Sequence, residues 1–141
     1  MHTVKLELSV NSGPDVVWAL IGSFASLANW HPEVTSCVES TNDKGQTLRT
    51  ITYKNGQQVT ERLIQHSDAT RGYAYAIEQG KMPVREFRGE VQVVGNAGQS
   101  RIQWSATFDI IEGVPVERAV SIVDGILQSA APGLIAKLGP V

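Results

Sequence analysis

Arg49 and Glu61 lie symmetrically about Asn55, in the middle of a stretch that reads as two strands joined by an Asn55–Gly56 turn signal. A guanidinium and a carboxylate held together inside an apolar space can do two kinds of chemistry. They can anchor the carbonyl, carboxylate or hydroxyl of a ligand. Alternatively, the carboxylate can remove a proton while a nearby cation or phenol stabilises the resulting oxyanion. Both need the two side chains to face inward together, and the turn decides whether they do. A two-residue loop would set Thr50 opposite Glu61 and Arg49 opposite Arg62. A three-residue loop, Lys54–Asn55–Gly56 with Gly56 left-handed, sets Arg49 opposite Glu61 and Ile51 opposite Val59. In the second register one face carries Arg49, Ile51, Tyr53, Gln57, Val59, Glu61 and Leu63, and the other Thr50, Thr52, Gln58, Thr60 and Arg62. The first set is mostly apolar and the second wholly polar, as a sheet with one buried face requires. The three-residue loop is therefore expected, with an Arg49/Glu61 pair on the concave face. The pair reads either as a structural salt bridge or as a polar anchor, since desolvating either charge alone is costly.

Other groups converge on the same interior by strand alternation. Tyr73, Tyr75 and Ile77 share one face. Phe87, Gly89, Val91 and Val93 share the next, and Ile102, Trp104, Ala106, Phe108 and Ile110 a third. The small residues Gly89 and Ala106 among large ones predict a void. The expected ligand-lining set is Trp30, Tyr53, Tyr73, Tyr75, Phe87, Trp104 and Phe108, with Val123 and Leu127 from a C-terminal helix. The catalytic candidates are Glu61, Arg49 and His31. Glu61 can act as a base if burial raises its pKa, with Arg49 opposing that rise. Arg49 or one of the tyrosines would face an oxyanion. His31, between Trp30 and Pro32, reads first as packing at the end of a helix, since the neighbouring tryptophan and proline suffice to explain it as structure. The three histidines, His2, His31 and His66, are scattered and Cys37 stands alone, so no metal site and no cofactor are expected. There is no phosphate-binding glycine loop, dinucleotide fingerprint or G-x-S-x-G elbow.

The elements that must position these residues follow from period and punctuation. Val4, Leu6, Leu8 and Val10 alternate with polar residues and predict a half-buried strand. Asn11–Pro14 break it, Ser12 or Gly13 caps a short helix, and Val16, Val17, Leu20, Ile21 and Phe24 form its apolar face. A second short helix is expected over Phe24 to Trp30, ending at Pro32. Six further strands are expected at Val34–Ser40, Gln46–Tyr53, Gln57–Gln65, Tyr73–Glu78, Arg85–Val94 and Arg101–Ile111, pairing as an antiparallel meander. From Val116 to Leu138 apolar residues recur at helical spacing, with a kink expected at Pro132–Gly133. The class is α+β: a curved antiparallel sheet of about seven strands around one long C-terminal helix, spanning 1–141 as one domain.

Composition sets the outer limits. With 42% of its 141 residues hydrophobic, the chain can build a real core. Twelve basic against fourteen acidic residues leave no concentrated positive face, so nucleic acid is not an expected partner. The N-terminus alternates instead of forming a signal-peptide core, and no apolar run approaches the roughly 20 residues of a membrane span. A lone thiol fits a reducing compartment, so a cytoplasmic protein without stable membrane insertion is expected, as a monomer or homodimer.

These residues also carry a resemblance. Val17–Trp18, then Phe24-Ala25-Ser26-Leu27-Ala28-Asn29-Trp30-His31-Pro32, resembles a stretch of the SRPBCC superfamily, the START-like and birch-pollen-allergen-like proteins. Leu48–Arg49, Glu61-Arg62-Leu63, Tyr73-Ala74-Tyr75, Met82-Pro83-Val84 and Trp104-Ser105-Ala106-Thr107-Phe108 continue it along essentially the whole chain. Arg49 and Glu61 match positions typical of its bacterial polyketide cyclase/dehydrase subgroup. The resemblance implies a helix-grip fold in which two short helices close a deep cavity. It also implies a small hydrophobic ligand, polyketide-, lipid- or aromatic-like, for a carrier or sensor. The alternative it leaves open is a cofactor-free cyclase or dehydratase.

Overall fold

The computed structural model describes residues 1–141. Strand β1 (His2–Val10) is followed by helix α1 (Pro14–Ile21) and a single 3-10 turn at Leu27–Asn29. Six strands come next: β2 (Val34–Thr41), β3 (Thr47–Tyr53), β4 (Gln58–Ser67), β5 (Gly72–Gln79), β6 (Val84–Gly95) and β7 (Ser100–Ile110). Helices α2 (Val116–Gln128) and α3 (Ala131–Leu138) end the chain. The seven strands form one antiparallel sheet in the order β1-β7-β6-β5-β4-β3-β2. Consecutive strands from β2 to β7 are neighbours, as short turns dictate, and β1 closes onto β7.

The β3–β4 hairpin has the predicted three-residue loop. Gly56 is left-handed at φ 86 and the register pairs Arg49 with Glu61 and Ile51 with Val59. Bulges break the β4–β5 register after Thr60 and after Leu63 and the β6–β7 register after Arg85, where Glu86 takes φ 52. Such bulges increase local twist and help wrap the sheet.

The helices lie in the sheet's concavity, giving the helix-grip arrangement. On α2 the buried residues are Ala119, Val123 and Leu127, and on α3 Gly133, Leu134 and Leu138, so the buried side chains recur every four residues within each helix. Each buried leucine or valine removes enough apolar surface from water to contribute about 2 kcal/mol. Two details differ from expectation. The predicted helix over Phe24–Trp30 is only the 3-10 turn, because Ser23–Ser26 turns on its own backbone bonds and Pro32 stops extension. The interruption of the C-terminal helix falls at Ser129–Ala130, before Pro132, which then sits in the first turn of α3.

Gly133 explains how closely α3 approaches the turn below it. A Cβ there would lie 2.0 Å from the Trp30 carbonyl oxygen, so only glycine fits. Taken together, Val116–Leu138 are 23 residues containing an 18-residue window of mean hydropathy 1.4, long and apolar enough by length and composition to cross a membrane. This differs from the expectation that no apolar run approaches the length of a membrane span. The stretch is this apolar because one face of a helix gripped by a sheet is as apolar as a lipid-facing one. Glu117, Arg118, Asp124 and Lys137 interrupt it, and its inner face packs on the sheet.

Candidate functional site

Arg49 is the largest fully buried side chain, 1% exposed in the middle of β3. Its Nε donates to Glu61 Oε1 at 2.8 Å and its Nη2 lies 2.7 Å from the same oxygen. Its Nη1 donates to the Phe24 carbonyl at 2.8 Å and to Tyr73 Oη at 3.3 Å. Aromatic rings surround the guanidinium: its carbon is 4.2 Å from the Phe24 ring centre, 4.9 Å from Tyr75 and 5.5 Å from Tyr73. Such faces stabilise a desolvated cation. Burial disfavours the charged guanidinium, but Tyr73, Glu61 and Tyr75 outweigh it, so Arg49 stays protonated.

Glu61 is in a different position. The Arg49 hydrogen bond and its ion-pair contact both fall on Oε1, and no protein group donates to Oε2. Burial raises the carboxyl's pKa, and Arg49 pulls it back only in part. The site therefore holds a basic carboxylate oxygen with unused acceptor capacity.

Glu61 also lines a small void of about 40 Å³, together with Leu27, His31, Arg49, Ile51, Tyr53, Tyr75, Trp104, Ile126, Leu127 and Ala130. It has room for roughly two water molecules. Tyr75 Oη accepts from Trp104 Nε1 at 2.9 Å, which leaves its own proton free to donate. Tyr53 forms no side-chain hydrogen bond, and burial, then Glu61, push its phenol up to about 12, against the pull of Arg49. His31 is held at both nitrogens. Nδ1 accepts from the Glu33 backbone N–H at 3.1 Å, so the ring proton sits on Nε2, 3.3 Å from Ser129 Oγ. Burial lowers its pKa, with Glu33 opposing, and keeps it neutral.

The structure thus gathers seven of the residues named from sequence: Arg49, Glu61, His31, Tyr53, Tyr75, Trp104 and Leu127. Five others lie elsewhere. Trp30 packs against Trp104 and His31, and its Nε1 is buried without a partner. Tyr73 sits outside the wall, behind Arg49 against Phe24. Phe87 stacks on Phe108, and Val123 is buried in the helix–sheet core. Leu27, Ile51, Ile126 and Ala130 were missed. Ile51 was legible from its alternation with Arg49, whereas the other three depend on how the helices dock.

The expected void beside Gly89 is filled. A Cβ on Gly89 would lie 2.2 Å from the Tyr75 ring, so the missing side chain makes room for that phenol and not for a ligand. The larger space is outside. A cleft of about 1020 Å³ runs between α2 and the β3–β4 and β5–β6 turns, lined by Glu33, Lys54, Gln57, Val59, Lys81, Met82, Ile122, Gly125 and Ser129 among others. Tyr53 and Ile126 line both the cleft and the void and form the partition between them.

A family model described as "Polyketide cyclase / dehydrase and lipid transport" matches residues 1–139. No curated protein matches the sequence. Among solved structures, the protein XoxI from Bacillus cereus is 28% identical, with 98% of this chain and 96% of that one covered at a TM-score of 0.86. A START superfamily protein from Mycobacterium smegmatis is 15% identical, covers 98% and 97%, and has a TM-score of 0.76. Norcoclaurine synthase from Thalictrum flavum, solved as a point mutant with a transition-state analogue, is 19% identical, covers 94% and 91%, and has a TM-score of 0.68. The last two establish likeness of fold.

Proposed function

The chain belongs to the polyketide cyclase/dehydrase and lipid transport family, and from that membership and the site we propose that it binds a small, largely apolar molecule whose polar end reaches Glu61. One observation carries this reading. Glu61 Oε2 and the Tyr75 hydroxyl retain unused hydrogen-bonding capacity beside an otherwise apolar void. A ligand hydroxyl can donate to that carboxylate oxygen, and a ligand hydroxyl or carbonyl can accept from Tyr75. The void is too small for a ligand body, so admission requires Tyr53 and Ile126 to move apart and join it to the cleft. Outward movement of α2 relative to the β3–β4 hairpin does this, on the microsecond-to-millisecond scale of lid motions.

A second reading rests on the same atoms. A carboxylate with a raised pKa near two phenols and a fixed guanidinium has the parts for proton abstraction next to a carbonyl, with Tyr75 donating to the enolate oxygen. Arg49 is engaged by Glu61, Phe24 and Tyr73 and would hold Glu61 in place.

Native mass spectrometry of the purified protein, followed by denaturation and identification of released molecules, tests both readings against a Glu61→Gln variant. The same apolar compound at stoichiometric level from wild type, and less from the variant, supports a carrier. A product from wild type and its precursor from the variant supports the enzyme. If nothing is released and the neutral dye N-phenyl-1-naphthylamine does not bind, the ligand-binding reading is wrong.

A further inference from the structure

The outer cleft has chemistry that the inner void lacks. Its rim carries Lys54 on the β3–β4 turn and Lys81 on the β5–β6 turn, both exposed. Arg118 of α2 lines an adjoining depression that shares Lys81, Met82 and Ile122 with the cleft. None of the three cations is within salt-bridge distance of a carboxylate, which leaves their charge uncompensated by a direct partner. Glu33 is the single acidic residue on the cleft wall. In a chain of formal net charge −2, this is a locally positive mouth.

The floor is the second observation. Gly125 lies inside α2, where glycine is the poorest helix former after proline. No packing demands it, since a Cβ there would meet nothing within 4 Å. It lines the cleft beside Ile122 and Ile126, which are 38% and 39% exposed. The glycine leaves an open trough between two unpartnered isoleucines, ending at the Tyr53–Ile126 partition.

We propose that this cleft is a binding site for an amphiphile with an anionic head, a carboxylate, sulfonate or phosphate. The head lies between Lys54 and Lys81 with Arg118 nearby, and the apolar body lies over Gly125 toward Tyr53. The proposal rests on the ligand-binding reading above and adds the charge of the end that remains at the mouth. Attraction of this kind is screened by salt, since the three cations are exposed.

Two dyes with the same anilinonaphthalene body provide the test: 8-anilinonaphthalene-1-sulfonate, which is anionic, and N-phenyl-1-naphthylamine, which is neutral. Wild type is expected to favour the sulfonate. In a Lys54→Gln/Lys81→Gln variant its affinity should fall about 3- to 20-fold, because each exposed ion pair contributes up to about fivefold. The neutral dye should be unaffected. Gly125→Leu fills the trough and should weaken both dyes, with circular dichroism confirming the fold. Equal affinity of wild type for the two dyes, or no effect of either variant, overturns the proposal while leaving the ligand-binding reading intact. Failure of both dyes to bind sinks that reading and this one together. Competition by monomeric decanoate assigns the anion to a free amphiphile. Co-sedimentation with phosphatidylglycerol vesicles, lost in the double-lysine variant, assigns it to a lipid headgroup. If neither decanoate nor the vesicles displaces the sulfonate dye, the cleft does not take anionic amphiphiles.

Discussion

Replacing Arg49 by methionine keeps most of the side chain's length and removes its charge. Three things are lost at once. Glu61 loses the hydrogen bond and the ion-pair contact on Oε1, the Phe24 carbonyl loses a 2.8 Å donor, and the rings of Phe24, Tyr73 and Tyr75 lose their cation. Removing one partner of a buried ion pair costs about 3–5 kcal/mol, because the other charge is left uncompensated. An orphaned buried carbonyl adds about 1–3 kcal/mol. The terms overlap, so we expect a loss of about 4 kcal/mol at pH 8. In a chain of 141 residues that lowers Tm by roughly 12 °C. The loss should depend on pH with a definite sign. Burial already raises the Glu61 carboxyl above its ordinary 4.5, and without Arg49 nothing opposes that rise. An acid whose folded pKa is raised contributes most stability below its unfolded pKa and loses it as pH climbs through the folded value. The variant should therefore recover part of its deficit between pH 8 and pH 5, while an Arg49→Met/Glu61→Leu double variant should recover most of it at every pH. Urea unfolding followed by tryptophan fluorescence measures all three proteins. A deficit that does not change with pH, or a double variant no more stable than the single one, would refute the account of Glu61 as an uncompensated charge.

Four further outcomes follow from individual contacts. Gly133→Ala should destabilise by about 2 kcal/mol or more in a thermal melt, because its Cβ collides with the backbone oxygen of Trp30, which cannot give way as a flexible side chain would. Gly125→Ala, with nothing near its Cβ, should instead stabilise by about 0.5–1 kcal/mol in the same assay. Gly89→Ala should push the Tyr75 ring from its place and break its bond from Trp104, visible as a changed near-ultraviolet dichroism spectrum even if the chain still folds. His31 has a folded pKa below its ordinary 6.5, so the unfolded chain takes up the proton first. Its stabilising effect is complete above that pH and is lost as pH falls from 6.5 through the folded value, and a His31→Gln variant should lose less stability than wild type over that interval.

The hairpin shows why much of the fold was legible. Strand alternation has period two, so only one register places Arg49, Ile51, Val59 and Glu61 on one face, and Gly56 permits the loop that this register needs. The Phe24–Trp30 segment shows the limit. Its apolar residues fit a helical face, yet local backbone bonds from Ser23 to Ser26 and a single 3-10 turn serve the same burial with less regular structure. Lining residues divided in the same way. Those on strands were assigned by parity, whereas Leu27, Ile126 and Ala130 reach the void only through the docking of helices whose rotation and depth no local pattern records.

The sequence by itself determined the class, the strand order through short turns, the inward charged pair and the one-sided C-terminal helix, because each follows from periodicity and turn chemistry within a few residues. Only the tertiary structure decided how much space remained. It put the Tyr75 ring where Gly89 has no side chain, shrank the void to about 40 Å³, and opened the larger cleft over Gly125 on the other side of Tyr53 and Ile126. Volume is set by the packing of many distant side chains at near-crystalline density, and a displacement of one ring changes it more than any local rule can anticipate.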